Sequence, residues 1–415
     1  MSLLLINIKK LLQVRSKTEQ PLRGDAMNEV PTIPNAYLLI NNGIIAAYGA
    51  MQELPATYST YKTVDCTDYL IGPGYVDSHT HLVFAATREK EFQDRINGLT
   101  YEEIAARGGG ILNSAAKLAS MSEDDLFHDA LERLQLLNGL GTTAIEIKSG
   151  YGLSLEAELK MLRVIKRLKQ ETSLIIKATF LGAHAIPVAY KNDREGYLNL
   201  IIKELLPVIE KEHLADYIDV FCEKNYFTVD EMIQVIEAGK KHGLKAKVHV
   251  NQFNAIEAVT AAVDAGAVSV DHLEVMNQQD YRALSGSDTI ATALPSCSFF
   301  LGIPYAPVKE MISQDIAVAL ATDFNPGSTP SGNMNYVFSL ACIKMRMTVE
   351  QAYNAITVNA SHALELQDQV GSITVGKRAD LVFYKGIDSL ATIPYHFGHS
   401  TIDQVMINGN IIDKK

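Results

Sequence analysis

Between about residue 70 and residue 325, short β-branched runs alternate with longer stretches of helical period, which restricts the chain to a parallel sheet with crossover helices. The runs are LIGPGYVDSH, TTAIEIKS, LIIKATFLG, YIDVFCE, AKVHV, AVSVDH, TIATALP and IAVALATD. Eight such strands close a barrel, so the expected fold is α/β, a (β/α)8 TIM barrel. The intervening segments carry helix signals. Ser122 to Asp125 and Thr228 to Glu231 read as capping boxes, and Gly141, Gly243 and Gly266 follow the last apolar turns. Two more helical patterns follow the eighth strand, over about 333–346 and 348–364, the second opened by Thr348 and Gln351.

Outside this region strands alternate with turns. LLLINIKKLLQV and AYLLINNGIIAAYG near the start, with GSITVGKRADLVFY and DQVMINGNII near the end, read as strands of one small β-sandwich domain built from both termini. Asn41-Asn42-Gly43 and Asn408-Gly409-Asn410 supply residues that accept the positive φ of tight hairpins. Residues 16–35 have no strong pattern and read as a loop. The expected organisation is a composite β-domain from 1–66 and 365–415 around a catalytic barrel over 67–364.

Composition narrows the function classes. With 47% hydrophobic and 20% charged residues over 415 positions, the chain can bury a large core. Lysine and arginine number 37 against 48 acidic residues, a net charge of −11 with no basic block, which disfavours nucleic acid and anionic membrane as partners. In MSLLLINIKK the lysines follow the apolar run, so it reads as a strand and not as a signal peptide. No run approaches the roughly 18 apolar residues of a membrane span. Four scattered cysteines without a C-x-x-C pair suit a reduced, cytoplasmic protein.

The sharpest local signal is VDSHTHL, with His79 and His81 at the end of the first barrel strand. Residues i and i+2 of a strand face the same side, so both imidazoles can share one metal ion. An isolated H-x-H more often marks two polar strand-end histidines. Here, however, His249 ends the fifth run, His272 the sixth and Asp323 the eighth, all at carboxyl ends, where barrel active sites are built. Chance does not align 11 histidines among 415 residues in this way. His79, His81, His249 and Asp323 make an N,N,N,O set that suits one divalent ion, Zn(II) or Fe(II), with Mn(II) tolerated. Water held on such an ion loses a proton near neutral pH. Asp323 is then both ligand and proton acceptor, and His272 is poised to stabilise an oxyanion or assist proton transfer. The plainer reading of His272 is a histidine bonded to a carboxylate behind the site.

This placement, with GSITVGKRADLVFY closing a small β-domain, resembles the amidohydrolase superfamily over nearly the whole chain. ATREKEF, ARGGGI, EIKSGYGL, FLGAHAIP and DFNPGS narrow the resemblance to the imidazolonepropionase family. The resemblance implies hydrolysis of 4-imidazolone-5-propanoate, a small-molecule substrate, to N-formimidoyl-L-glutamate in histidine breakdown, with one bound metal and a homodimer. It makes Arg88 the arginine that binds the substrate carboxylate, a task suited to a guanidinium fork. Otherwise Arg88 is a solvated loop residue beside Glu89. Tyr151, between Gly150 and Gly152, is expected to contact substrate, and His184 to bond the ring. Asn325, Gly327 and Ser328 are expected around the product's polar end; alone, Asn-Pro-Gly-Ser is only a turn.

Gln252 stands three residues after His249, where related deaminases carry a proton-shuttling Glu. An amide is neither acid nor base near pH 7, which argues against deamination and leaves Gln252 to bond substrate. Lys148 ends the second strand, whereas the carboxylated lysine of binuclear relatives sits on the fourth. Glu223 there is a weak candidate for a second metal. Gly108-Gly109-Gly110 lacks the ending of a phosphate loop and reads as a lid. The competing readings are another cyclic amidohydrolase or a heterocycle deaminase of the same superfamily, which would release ammonia. A different class is an inactive metal-binding barrel acting as an interaction protein.

Overall fold

The computed structural model describes residues 2–18, 20–99, 103 and 109–412. The N-terminal strands are β1 (Ser2–Leu12), β2 (Thr32–Asn41), β3 (Ile44–Ala50), β4 (Lys62–Asp65) and β5 (Tyr69–Pro73). Next come β6 (Tyr75–Asp77), β7 (Thr142–Lys148), β8 (Ile175–Ala183), β9 (Tyr217–Cys222), β10 (Lys245–Val250), β11 (Ser269–His272), β12 (Ile290–Ala293) and β13 (Val318–Leu320). The C-terminal strands are β14 (Leu381–Lys385), β15 (Ile402–Ile407) and β16 (Asn410–Ile412).

Strands β6 to β13 lie side by side in chain order, every pair parallel. The seam is joined beyond the strand ends. Thr80 bridges Phe324, and the Asp323 N–H donates to the His79 carbonyl at 3.0 Å. Below it, the Asp77 carboxylate accepts the Thr322 N–H at 3.0 Å and the Thr322 hydroxyl at 2.6 Å. Every residue of β7 and of β9 is buried, as a parallel sheet covered by helices requires. The helix Leu155–Glu171 shows how the cover is attached, turning Met161, Leu162, Ile165 and Leu168 inward.

Helix starts follow the sequence signals. Thr228 and Thr348 form reciprocal capping boxes with Glu231 and Gln351. Ser122 accepts the Asp125 N–H, but the Asp125 carboxylate takes the Ser122 hydroxyl, so only half of that box forms. The pattern expected as one helix over 348–364 is two, Val349–Ala355 and Val358–Ala363. They part at Thr357, whose hydroxyl donates to the Tyr353 carbonyl at 2.6 Å.

The terminal strands form one sheet in the order β16-β15-β14-β5-β1-β2-β3, with β4 also paired to β1. One of its cores draws Leu5, Ile8, Leu38, Ile71, Leu381, Phe383 and Met406 from both termini, and a smaller one gathers Leu4, Tyr37 and Leu39. Asn42 and Gly43 at φ 49° and 80°, and Asn408 and Gly409 at φ 51° and 76°, make the two left-handed hairpin turns. The run LIGPGYVDSH divides: β5 joins the terminal sheet and β6 the barrel. Gly74 stands between them, where a Cβ would meet the Thr143 hydroxyl at 2.1 Å, so only glycine lets the chain cross there. The loop expected over 16–35 contains a helical turn, Gly24–Asn28, and β2 already begins at Thr32. Among the described residues no helix is long and apolar enough to cross a membrane.

Candidate active site

At the carboxyl ends of the barrel strands, His79, His81, His249, His272 and Asp323 converge. Their side chains are almost wholly buried, and the ring centroids of His79 and His249 are 4.4 Å apart. Metal-ligating atoms of His79, His81 and Asp323 lie within 4.8 Å of one another, as do those of His79, His249 and His272. Asp323 Oδ1 is 3.6 Å from Nε2 of both His79 and His81, and Nε2 of His81 and of His249 are 3.4 Å apart.

The outer edges of two rings are engaged by carboxylates. His79 Nδ1 is 2.7 Å from Asp271 Oδ2, and His249 Nδ1 is 2.9 Å from Asp219 Oδ2. Each carboxylate accepts an Nδ1–H, which fixes the tautomer and turns an Nε2 lone pair into the site. Burial pushes the pKa values of His79, His81 and His249 well below 6.5, with neighbouring cationic groups adding to the effect, so the rings are neutral. His79 Nε2 is buried and has no hydrogen-bond partner among the described residues. Neutral imidazole lone pairs converging beside a carboxylate oxygen fit a divalent cation, which satisfies every one of them. Burial also pushes the Asp323 carboxyl up to about 6.

His272 occupies both positions that its sequence allows. Its ring centroid is 5.3 Å from that of His249, and its Nδ1 is 3.5 Å from Glu274 Oε2. Burial opposes its charging, but the carboxylates of Glu274, Asp323 and Asp271 outweigh burial and raise its pKa. The backbone here is left-handed at three non-glycine residues, His272 at φ 89°, Leu273 at 67° and Asp323 at 56°. Such conformations cost about 1–3 kcal/mol each and cluster at functional sites.

Beneath the histidines lies a layer of buried charge. Lys148 Nζ is 2.8 Å from Glu146 Oε1 and from Asp219 Oδ2, and 3.8 Å from Asp271 Oδ2. Glu146 also receives the Thr179 hydroxyl, and its Oε2 is 3.4 Å from Lys247 Nζ. Lys247 in addition donates to the Ala363 carbonyl at 3.0 Å. Burial opposes the Lys148 ammonium, yet its three carboxylate neighbours outweigh burial and raise its pKa. Sequence reading left these residues aside, although a signal exists. Parallel strands are buried on both faces, so a charge at alternate positions of IEIK, YIDVF, AKVHV or VSVDH must find its partner inside the barrel.

A second group of residues gathers on the His81 side. The Arg88 guanidinium carbon is 5.7 Å from the Tyr151 ring centroid, and the Tyr151 ring is 5.7 Å from that of His81 and 5.6 Å from that of His184. Arg88 Nε donates to the Ser114 hydroxyl at 2.8 Å, while its buried Nη2 has no hydrogen-bond partner among the described residues. Glu89 bonds Thr87 instead of Arg88. A Cβ on Gly327 would stand 2.6 Å from Arg88 Nη1, so the absence of a side chain there leaves room for the guanidinium. His184 Nδ1 is 3.1 Å from the Gly150 carbonyl, so it carries the proton and Nε2 is an acceptor. Burial pushes the His184 pKa down to about 4.

Asn325, Gly327 and Ser328 form a closed turn. Asn325 Oδ1 accepts the N–H groups of Gly327 and Ser328, both at 2.8 Å, and its Nδ2 donates to the Asp323 carbonyl at 2.7 Å. Their polar groups therefore bond one another and brace Asp323, with Ser328 Oγ 3.4 Å from Asp323 Oδ2. Gln252 is buried, and its amide donates to Cys297 Sγ at 3.5 Å. Glu223 is saturated by the N–H groups of Lys224, Phe253 and Asn254 and the Asn254 amide, so it clamps a loop and has no free oxygen for a second metal. Of the triplet expected as a lid, Gly110 donates its N–H to Glu91 at 2.9 Å, whereas Gly108 lies outside the described residues.

Glu158 is a further residue that sequence reading missed. Fully buried, its carboxylate collects the N–H groups of Gly150, Gly152 and Leu153 at 3.1, 2.7 and 3.0 Å and so holds the loop that carries Tyr151. Its signal was helical period: Glu158 shares the apolar stripe of Leu162 and Ile165.

Comparison with known proteins agrees with this geometry. The amidohydrolase family signature matches residues 70–412. A Christiangramia forsetii protein named imidazolonepropionase is 54% identical over 412 residues, 99% of this chain and all of that one. Proteins of the same name from Flavobacterium johnsoniae and Alkaliphilus metalliredigens are 53% and 37% identical, over 99% and 95% of this chain and 99% and 94% of their own lengths. In three dimensions the chain is similar to a triazine hydrolase variant, with TM-score 0.75, 15% identity, and 100% and 95% of the two chains covered. It is similar also to E. coli guanine deaminase, with TM-score 0.72, 14% identity and both chains covered in full. The amidohydrolase family is metal-dependent, in keeping with the buried donor set. From its signature, its full-length relatives and its barrel, the chain belongs to the amidohydrolase family and, within it, to the imidazolonepropionases.

Proposed function

We propose that the chain hydrolyses the ring C–N bond of 4-imidazolone-5-propanoate, giving N-formimidoyl-L-glutamate, with His79, His81, His249 and Asp323 holding one divalent ion. The single observation that carries the substrate assignment is the buried Nη2 of Arg88 beside Tyr151, which has no hydrogen-bond partner among the described residues. A buried guanidinium N–H without an acceptor calls for an anion, and the substrate's propionate is one. A bound Zn(II) or Fe(II) supplies a Lewis acid that brings water to its nucleophilic form near neutral pH.

The chain's own residues then divide the work. Arg88 fixes the carboxylate end, and Tyr151 packs against the substrate. His184 offers its Nε2 as an acceptor to a ring N–H. Asp323 accepts the proton that the attacking water loses, a task open to a carboxylate that stands beside the ion. His272, paired with Glu274, faces the developing negative charge. Gln252 bonds substrate and moves no proton, which favours ring opening over deamination. Asn325, Gly327 and Ser328 act through the turn that braces Asp323 and at the product's polar end. A homodimer in a reducing cytoplasm completes the reading, consistent with four cysteines that are all free.

The decisive experiment follows loss of imidazolonepropionate absorbance with metal-replete and chelator-stripped protein. Metal-dependent turnover of the imidazolone is expected. Ammonia release from an aminated heterocycle with no imidazolone turnover would instead identify a deaminase, and metal binding without turnover of either would identify an inactive barrel.

A further inference from the structure

We propose that Lys148 is a positioning residue for the metal centre, its ammonium bridging the two carboxylates, Asp219 and Asp271, that orient His249 and His79. The inference rests on the reading that these histidines hold an ion. Its basis is the identity of the oxygens involved. Asp219 Oδ2 lies 2.8 Å from Lys148 Nζ, and the same atom takes His249 Nδ1 at 2.9 Å. Asp271 Oδ2 lies 3.8 Å from Lys148 Nζ, and the same atom takes His79 Nδ1 at 2.7 Å. One ammonium therefore touches the oxygen behind each of two imidazoles that come from different strands, β6 and β10.

The remaining oxygens are anchored locally. Asp271 Oδ1 accepts the Ser269 hydroxyl at 2.7 Å, and Asp219 Oδ1 accepts the His249 N–H at 3.1 Å. Lys148, Glu146, Asp219 and Asp271 are all fully buried, so water is not at hand to replace a missing partner. Charges at such depth persist only when paired, and removing one partner leaves the others free to swing toward new ones. If Asp219 or Asp271 rotates away, the Nδ1–H of its histidine loses its acceptor, and the tautomer that directs Nε2 inward is no longer enforced.

Lys247 provides an internal control. It is equally buried and near the same network, but its ion pair is with Glu146, and it otherwise meets the backbone carbonyls of Ser78 and Ala363 and the face of the Tyr217 ring. Loss of Lys247 costs a buried cation without releasing the carboxylates behind the histidines.

The test compares Lys148→Met with Lys247→Met in the full-length chain, measuring Zn(II) affinity by chelator competition and the visible spectrum of the Co(II)-substituted proteins. Lys148→Met should lose about tenfold or more in affinity, the scale of outer-shell changes at metal sites, and its Co(II) bands should shift. Lys247→Met should keep its affinity within about twofold and its Co(II) bands unchanged, even where both variants melt at a lower temperature. Should Lys148→Met fail to fold, Lys148→Gln takes its place, with a loss in the same direction expected. Equal affinity and spectra for the Lys148 and Lys247 variants would overturn the proposal. Because these readouts need no substrate, they stand or fall separately from the assignment of the imidazolone.

Discussion

Arg88 faces the ring of Tyr151 with its guanidinium carbon 5.7 Å from the centroid, and the Nη2 of that guanidinium is buried without an acceptor. A hydrogen bond to a charged group is worth about 1.5–3 kcal/mol. Arg88→Met should therefore lower kcat/KM for imidazolonepropionate by about 10- to 100-fold, mostly through KM. Arg88→Lys should recover only part of this, because an ammonium cannot both hold Ser114 and present a fork to a carboxylate. Steady-state kinetics of the two variants check the ordering.

Asp323→Asn keeps the size of the side chain and removes both the ligating charge and the proton acceptor. Turnover should fall by at least about 100-fold. The fold should survive, since the contact that joins the barrel seam here is made by the Asp323 backbone N–H and not by its carboxylate. Circular dichroism of the variant beside its activity makes the distinction.

Glu158 gives a pH dependence whose sign can be worked out. Burial pushes its carboxyl above the ordinary 4.5, against the lowering effect of the hydrogen bonds from Ser149 and the loop N–H groups. With the folded pKa above the unfolded one, the folded state holds the proton more tightly, and this group's contribution to stability declines as pH rises from about 4.5 through the folded value. Glu158→Gln should flatten that part of the stability-pH curve. Glu158→Ala should cost about 1–3 kcal/mol by leaving loop N–H groups without acceptors. Denaturant unfolding at several pH values, on chelator-stripped protein, would reveal either effect.

Metal removal should lower the melting temperature. Lone pairs of His79 and His81 converge on the Asp323 carboxylate, so an ion held there favours the folded state. At a free concentration 100 times Kd the gain is about 2.7 kcal/mol. Calorimetry across a Zn(II) titration should show the melting point rise with concentration, and a flat response would exclude a folded-state site.

Much of this molecule is legible in its strings of residues. The eight β-branched runs became eight parallel strands because a strand buried on both faces has to be mostly apolar, and that pattern survives without knowledge of any neighbour. Capping at Thr228 and Thr348 and the turns at Asn42-Gly43 and Asn408-Gly409 are local for the same reason, since each rests on residues at most three apart. His79, His81, His249, His272 and Asp323 could be gathered on paper because topology alone brings parallel strand ends to one rim.

What tertiary structure decided is everything that depends on which groups meet across the barrel. Asp219 and Asp271 became the partners of His249 and His79, Lys148 came to lie between them, and Glu223 filled its oxygens with loop N–H groups. LIGPGYVDSH was divided between two sheets by the close approach of Gly74 to Thr143. Hydrophobic period is carried by a single strand or helix and can be read one element at a time. Hydrogen bonds and ion pairs are short-ranged and directional, so their partners, here 192 residues apart for His79 and Asp271 and 245 for Asp77 and Thr322, are chosen only once the chain has closed.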